Sequence, residues 1–110
     1  MEEKNYKVRV LPLFERDLAE ITDYIAYDLQ NPHAANLIAD EVEKAIRERL
    51  VCPESFEKYS SLKDRKHPYY RIYVKNFIIY YVIIDDEIDE FKIMEVRRIL
   101  YSKRDKRKLV

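Results

Sequence analysis

Not one of the 110 residues is a glycine. Glycine enters the left-handed backbone region without steric cost, so the tight turns of this chain must rely on Asn, Asp, Ser or Pro. The same lack removes whole classes of function. A Walker-type phosphate loop and a dinucleotide-binding turn both need glycine where backbone approaches phosphate, and neither can be built here. The single cysteine, Cys52, allows no intrachain disulfide. Standing before Pro53, it reads as a partly buried small hydrophobe. Two histidines, His33 and His67, offer no zinc-site spacing with it, and no Ser/His/Asp grouping presents itself. Neither a cofactor nor a metal is expected.

The hydrophobic period changes twice along the chain. Tyr6-Lys7-Val8-Arg9-Val10-Leu11 alternates apolar and basic, as a half-buried strand does, and Pro12 ends it. From Leu13 the residues Phe14, Leu18, Ile21, Ile25 and Leu29 recur at helical spacing, with Glu15, Asp17, Glu20 and Asp23 off that stripe. Asn31-Pro32 then restarts the chain, because Asn is a good N-cap and Pro is tolerated at the first helical position. Ala35, Ile38, Val42, Ala45 and Ile46 give the stripe of this second helix, which Cys52-Pro53 stops. Residues 53–67 have no period and read as a long loop. Tyr69 to Val74 and Phe77 to Ile84 are aromatic and β-branched, and they flank Lys75-Asn76 as a hairpin. Asp85-Asp86-Glu87 is a second turn. Ile88 to Tyr101 reads as a final strand, with Met94, Val96 and Leu100 on one side and Glu95, Arg97 and Ile99 on the other.

The expectation is one α+β domain over residues 1–110, in the order β-α-α-β-β-β, with an antiparallel sheet. A chain of this size buries roughly two-thirds of its unfolded surface, enough for one core. Two helices packed as a hairpin can cover one face of the sheet, so the opposite face is expected to look toward solvent or a partner. The opening Met1-Glu2-Glu3-Lys4-Asn5 lacks the apolar core of a signal peptide, and no apolar run reaches the roughly 20 residues of a membrane helix. The expected setting is the cytosol.

Basic and acidic residues balance at 21 each, but they are segregated. Residues 13–57 hold 11 acidic and 4 basic side chains, whereas residues 58–75 hold 6 basic and 1 acidic, and residues 97–110 hold 7 basic and 1 acidic. Segregation of this kind argues for a binding face. The middle run offers Lys63, Arg65, Lys66, His67, Tyr69, Tyr70, Arg71, Tyr73 and Lys75, and the end offers Arg97, Arg98, Tyr101, Lys103 and Arg104. Arginine pairs bidentately with phosphate and tyrosine gives a ring on which a base can stack. Lys63, Arg65, Lys66, His67, Tyr73, Lys75, Arg97 and Arg98 are therefore candidate nucleic-acid contacts. Tyr80 and Tyr81 read as core aromatics.

The opening strand, the segments Leu13-Phe14-Glu15-Arg16-Asp17-Leu18-Ala19-Glu20-Ile21-Thr22-Asp23-Tyr24-Ile25-Ala26, Tyr70-Arg71-Ile72-Tyr73-Val74-Lys75-Asn76-Phe77-Ile78-Ile79-Tyr80-Tyr81 and Arg98-Ile99-Leu100-Tyr101-Ser102-Lys103-Arg104-Asp105, with the Asn-Pro-x-Ala-Ala start of the second helix, resemble RelE/ParE toxins of bacterial type II toxin–antitoxin systems. The resemblance covers nearly the whole chain in the right order. It implies a growth-inhibiting toxin that forms a hetero-oligomer with a cognate antitoxin protein. It also implies one of two activities. The first is ribosome-dependent mRNA cleavage, an endoribonuclease reaction with ribosome and mRNA as partners. In that case Arg71, Lys103 and Arg104 would hold the phosphate, and Tyr101 would handle a proton as a further catalytic candidate. The second is non-enzymatic inhibition of DNA gyrase. Three departures from the nuclease pattern stand out. Tyr73 falls where such nucleases carry a lysine, Ile78 where they carry an arginine, and no tyrosine follows Arg104. An alternative of another class is an RNA-binding or interaction module without toxicity.

Overall fold

The computed structural model describes residues 5–59, 66–86 and 90–103. Strand β1 (Tyr6–Val10) leads into helix α1 (Pro12–Asp23), which runs on into a π-helical turn, Tyr24–Asp28. Helix α2 spans Pro32–Arg49 and is followed by β2 (Lys58–Tyr59), β3 (Tyr69–Val74), β4 (Phe77–Asp85) and β5 (Lys92–Tyr101). The α+β order is as expected, with a two-residue strand added inside the expected loop.

The left-handed turn positions correct the expectation that Asn, Asp, Ser or Pro would stand in for glycine: among the described residues they are taken by Gln30, Lys75 and Glu90. Gln30 closes the π-helical turn at φ 51°, and Lys75 opens the β3–β4 hairpin at φ 53°. Both sit in the region where an L-residue pays a steric cost. Asn31 caps α2, its side-chain oxygen accepting from the Ala34 amide at 3.1 Å, with Pro32 in the first turn.

The sheet order is β1-β5-β4-β3-β2. It is mixed rather than antiparallel: β1 lies parallel to β5, pairing Tyr6 with Lys92 and Val10 with Val96. A parallel neighbour needs a crossover, and the two helices together with the β2–β4 segment supply it. A bulge sets Tyr80 opposite Arg98 but Tyr81 opposite Val96, leaving Arg97 as the extra residue. Beyond it the alternation of β5 is shifted. Ile99 therefore joins Met94 and Val96 beneath the helices, while Leu100 turns to the reverse face. This differs from the alternation read from the sequence, because a bulge inverts every side chain after it.

Phe14 of α1 and Val42 of α2 pack on Tyr70, Ile72, Val74, Ile79, Tyr81, Met94, Val96 and Ile99. The reverse face is not bare. Tyr69, Ile78, Tyr80, Val82 and Leu100 form a second buried cluster, with Tyr59 and Ile84 against it. The expectation of a solvent-facing sheet is corrected accordingly. The physical sign was the unbroken apolar run of β4, which belongs to a strand buried on both sides.

Past the end of β1, α1 takes over the outer edge of β5. Asp17, itself buried, accepts from the Ile99 amide at 3.1 Å and from two nitrogens of Arg98 at 2.8 and 3.0 Å. An edge amide left without a strand partner is thus satisfied by a carboxylate. Cys52, expected to be partly buried, is exposed. Its neighbour Pro53 is the buried residue, since the Pro53 carbonyl faces inward to accept from the Tyr81 hydroxyl at 2.6 Å.

Candidate anion-binding site on the sheet

The arginines of the sheet fall into two kinds. Arg9 and Arg97 both donate to Glu95, Arg9 Nε at 2.9 Å and Arg97 Nε at 2.8 Å. Glu95 is buried, and burial alone would raise its pKa; the hydrogen bonds from Arg9 and Arg97 outweigh that and hold it below the ordinary carboxylate value. Arg98 is committed to Asp17. Arg49, at the end of α2, donates to the Arg71 carbonyl at 3.0 Å and to the Tyr81 hydroxyl at 2.9 Å, and its guanidinium lies 3.4 Å from the centre of the Phe56 ring.

Arg71 is different. It is half-buried, and its guanidinium has no carboxylate or hydrogen-bond partner among the described residues. It lies 4.5 Å from the Tyr59 ring centre and 5.7 Å from that of Tyr73. Aromatic faces stabilise a guanidinium through the ring quadrupole but leave its N–H donors unused. Tyr59 holds its place because β2 pairs it with Tyr69.

Directly across the ladder from Arg71 is Tyr80. Its ring is fully buried, 5.8 Å from the ring of Tyr59 and 6.0 Å, edge-on, from that of Tyr69. Its hydroxyl has no hydrogen-bond partner among the described residues. A buried hydroxyl left unpaired costs about 1–3 kcal/mol. Burial pushes its pKa well up, with the neighbouring Arg71 charge opposing, so the group stays a neutral donor. Among the described residues, a cation without a counter-charge and a hydroxyl without a hydrogen-bond partner are thus cross-strand neighbours on one side of the sheet.

A concavity lies on the helix side, where α1 and the π-helical turn meet the β3–β4 hairpin. It has a volume of about 760 Å³, with Ile21, Ile25, Leu29 and Phe77 among its apolar lining and Glu20 and Lys75 among its charged lining.

A family model for the ParE toxin of type II toxin–antitoxin systems matches residues 8–106. The chain belongs to that family. A search of curated proteins returned no match. The toxin is thus one half of a type II pair, and the family implies an antitoxin partner. No helix among the described residues is long and apolar enough to cross a membrane.

The toxin brings together some of the residues singled out by sequence and separates others. Arg71 and Tyr73 share the reverse face, Tyr73 being 63% exposed. Arg97 is on that face too, donating to the Tyr69 hydroxyl at 3.5 Å, but its charge is spent on Glu95. Tyr101 sits instead against Phe77 at 5.9 Å and lines the helix-side groove with Lys75, so it and Arg71 are on opposite sides of the sheet. Lys75 pairs loosely with Glu41 at 3.7 Å. Lys66 and Lys103 are exposed and His67 is half-buried. Lys63, Arg65 and Arg104 lie outside the described residues. Sequence reasoning passed over Tyr59, which sits in an aperiodic segment, and Arg49, which the helix pattern marks only as a polar position. Neither carries a local signal, because both act through partners distant in the chain.

Proposed function

We propose that this toxin arrests growth by binding DNA gyrase, without making or breaking a covalent bond itself. The observation that carries the reading is the state of its cations. Cleavage of RNA needs the phosphate charge neutralised and protons moved at two oxygens. Arg97 and Arg98, the candidate nucleic-acid contacts of the last strand, are bound to Glu95 and Asp17. Tyr101, the candidate proton carrier, lies across the sheet from Arg71. Membership of the ParE family agrees with a mechanism that requires no such constellation.

The antitoxin partner would lay an acidic, partly apolar segment across the sheet and the helix pair, where the basic runs and the apolar groove offer complementary surfaces. Inducing the toxin alone should inhibit growth, raise the DNA-damage response and block supercoiling by purified gyrase. Primer extension on transcripts from the same cells should show no codon-phased cuts. Codon-phased cuts with supercoiling intact would overturn the proposal in favour of ribosome-dependent mRNA cleavage. Unimpaired growth would leave a non-toxic interaction module.

A further inference from the structure

The sheet ends at β1, which has β5 on one side and, among the described residues, no strand on the other. The Lys92 amide donates to the Asn5 carbonyl and the Leu11 amide to the Val96 carbonyl, so the odd-numbered backbone groups of β1 turn toward β5. Successive residues of a strand aim their N–H and C=O groups at opposite edges. Tyr6, Val8 and Val10 therefore direct theirs outward, as a template for a further strand.

The side chains of β1 divide by face. Val10 packs against the helix-side core, and Val8 shares that face but is 45% exposed. Arg9 reaches Glu95, whose ladder partner Val82 belongs to the reverse-face cluster, and Lys7 alternates onto the same side. Lys7 and Arg9 are both exposed. Arg9 spends Nε and Nη2 on Glu95, which leaves the donors of Nη1 for another acid.

Parity decides what can dock. In an antiparallel pair outward-facing residues lie opposite outward-facing ones, and the residues between them form the closely spaced pairs without hydrogen bonds. Two copies of β1 paired about a two-fold axis thus set Lys7 or Arg9 against Lys7 or Arg9 in every register that joins two or more of Tyr6, Val8 and Val10. Like charges directly opposite are destabilising, whereas carboxylates there would be favourable. The pairing of β1 with β5 runs without a register shift, and Tyr6–Val10 holds no proline, so charge is what restricts this edge. We infer that β1 is a docking edge for an extended segment of a partner protein, added antiparallel as a sixth strand, with acidic residues at alternate positions against Lys7 and Arg9 and an apolar residue between them against Val8. This goes beyond the gyrase reading, which assigns no surface of the toxin.

The test is fluorescence anisotropy with the purified full chain and short fluorescein-labelled peptides. The probe alternates glutamate and valine; one control has lysine for glutamate, and another is N-methylated at its valines, which removes the donors of its bonding edge. The glutamate peptide should bind roughly ten-fold or more tightly than either control, as loss of hydrogen bonds or of charge pairing predicts. Added salt should weaken it, because exposed charges are screened.

Val8→Pro is the deciding variant. It removes an outward N–H that β5 does not use, and edge strands tolerate proline on that side. Thermal unfolding should stay near that of the parent while peptide affinity falls about five-fold or more. Lys7→Glu should weaken the glutamate peptide about three-fold and strengthen the lysine one. Hydrogen exchange on the parent decides independently, should Val8→Pro not fold: the glutamate peptide should slow exchange of the Tyr6, Val8 and Val10 amides. Unchanged exchange at those amides, equal binding by the parent and a folded Val8→Pro, or equal affinity for the glutamate and lysine peptides would overturn the inference. So would self-association of the parent in sedimentation that Val8→Pro abolishes, which assigns the edge to a second copy. Loss or retention of gyrase inhibition changes none of these outcomes.

Discussion

Tyr80 and Tyr81 are consecutive, both fully buried, and they point to opposite faces of the same strand. On the helix side the Tyr81 hydroxyl donates to the Pro53 carbonyl and accepts from Arg49, while its ring stacks on Tyr70 at 5.2 Å and 11°. On the reverse side the Tyr80 hydroxyl has no hydrogen-bond partner among the described residues. The helix side places its polar groups to lock α2, the following loop and the sheet into one unit. The reverse side tolerates an unmet donor next to an unmet cation. Equal burial thus conceals different work: among the described residues, the helix face meets the hydroxyl of its buried tyrosine and the reverse face leaves that of its own unmet.

The comparison can be broken at its strongest point first. Asp17→Ala strips partners from both Arg98 and the Ile99 amide on the helix side, and removal of one member of such a buried pair costs about 3–5 kcal/mol. Urea unfolding should show that loss, and a change under about 1 kcal/mol would mean that the edge of β5 is satisfied by other means.

The two tyrosines sharpen it next, because one substitution should have opposite consequences at adjacent positions. Tyr81→Phe leaves the Pro53 carbonyl and an Arg49 donor unmet and should destabilise by about 1–3 kcal/mol. Tyr80→Phe removes only an unsatisfied group and should be neutral or stabilising. Equal losses in the two variants, read from denaturation midpoints, would erase the distinction between the faces.

The smallest effect concerns pH. The folded-state pKa of Glu95 is depressed by Arg9 and Arg97. Its ionised form therefore contributes stability that is fully present above the unfolded carboxylate value, about 4.3, and is lost as pH falls through the lower folded value. Unfolding midpoints should decline with acidification below that range, and Glu95→Gln should flatten part of the decline. A Glu95→Gln curve parallel to that of the parent would mean that other carboxylates carry it.

Much of this fold was legible in the chain. The change of period at Pro12, the Asn31-Pro32 restart and the Lys75-Asn76 hairpin are local signals, and each lies where local chemistry puts it. The parallel pairing of β1 was not legible, because nothing within Tyr6–Val10 encodes which strand receives it. Nor was the bulge at Arg97, which arises from pairing with β4 and reassigns Ile99 and Leu100 between faces. The candidate site was half legible. Arg71 and Tyr73 stood out as an arginine–tyrosine pair in a strand, but the commitment of Arg97 and Arg98 to acids could not be seen. Glu95 is two residues from Arg97, and alternation alone places the two on one side of the strand without showing that they pair. Asp17 is 81 positions from Arg98.

The place of β5 in the sheet has a consequence for when the protein can act. This strand, last of the five to be synthesised, lies between β1 and β4 and joins them. Until it has left the ribosome, β1 has no neighbour and α1 lacks the sheet edge that Asp17 caps. Pairings between distant parts of a chain also form slowly. The five-stranded sheet therefore cannot close until nearly the whole chain has been made, so its completion is a late event of synthesis.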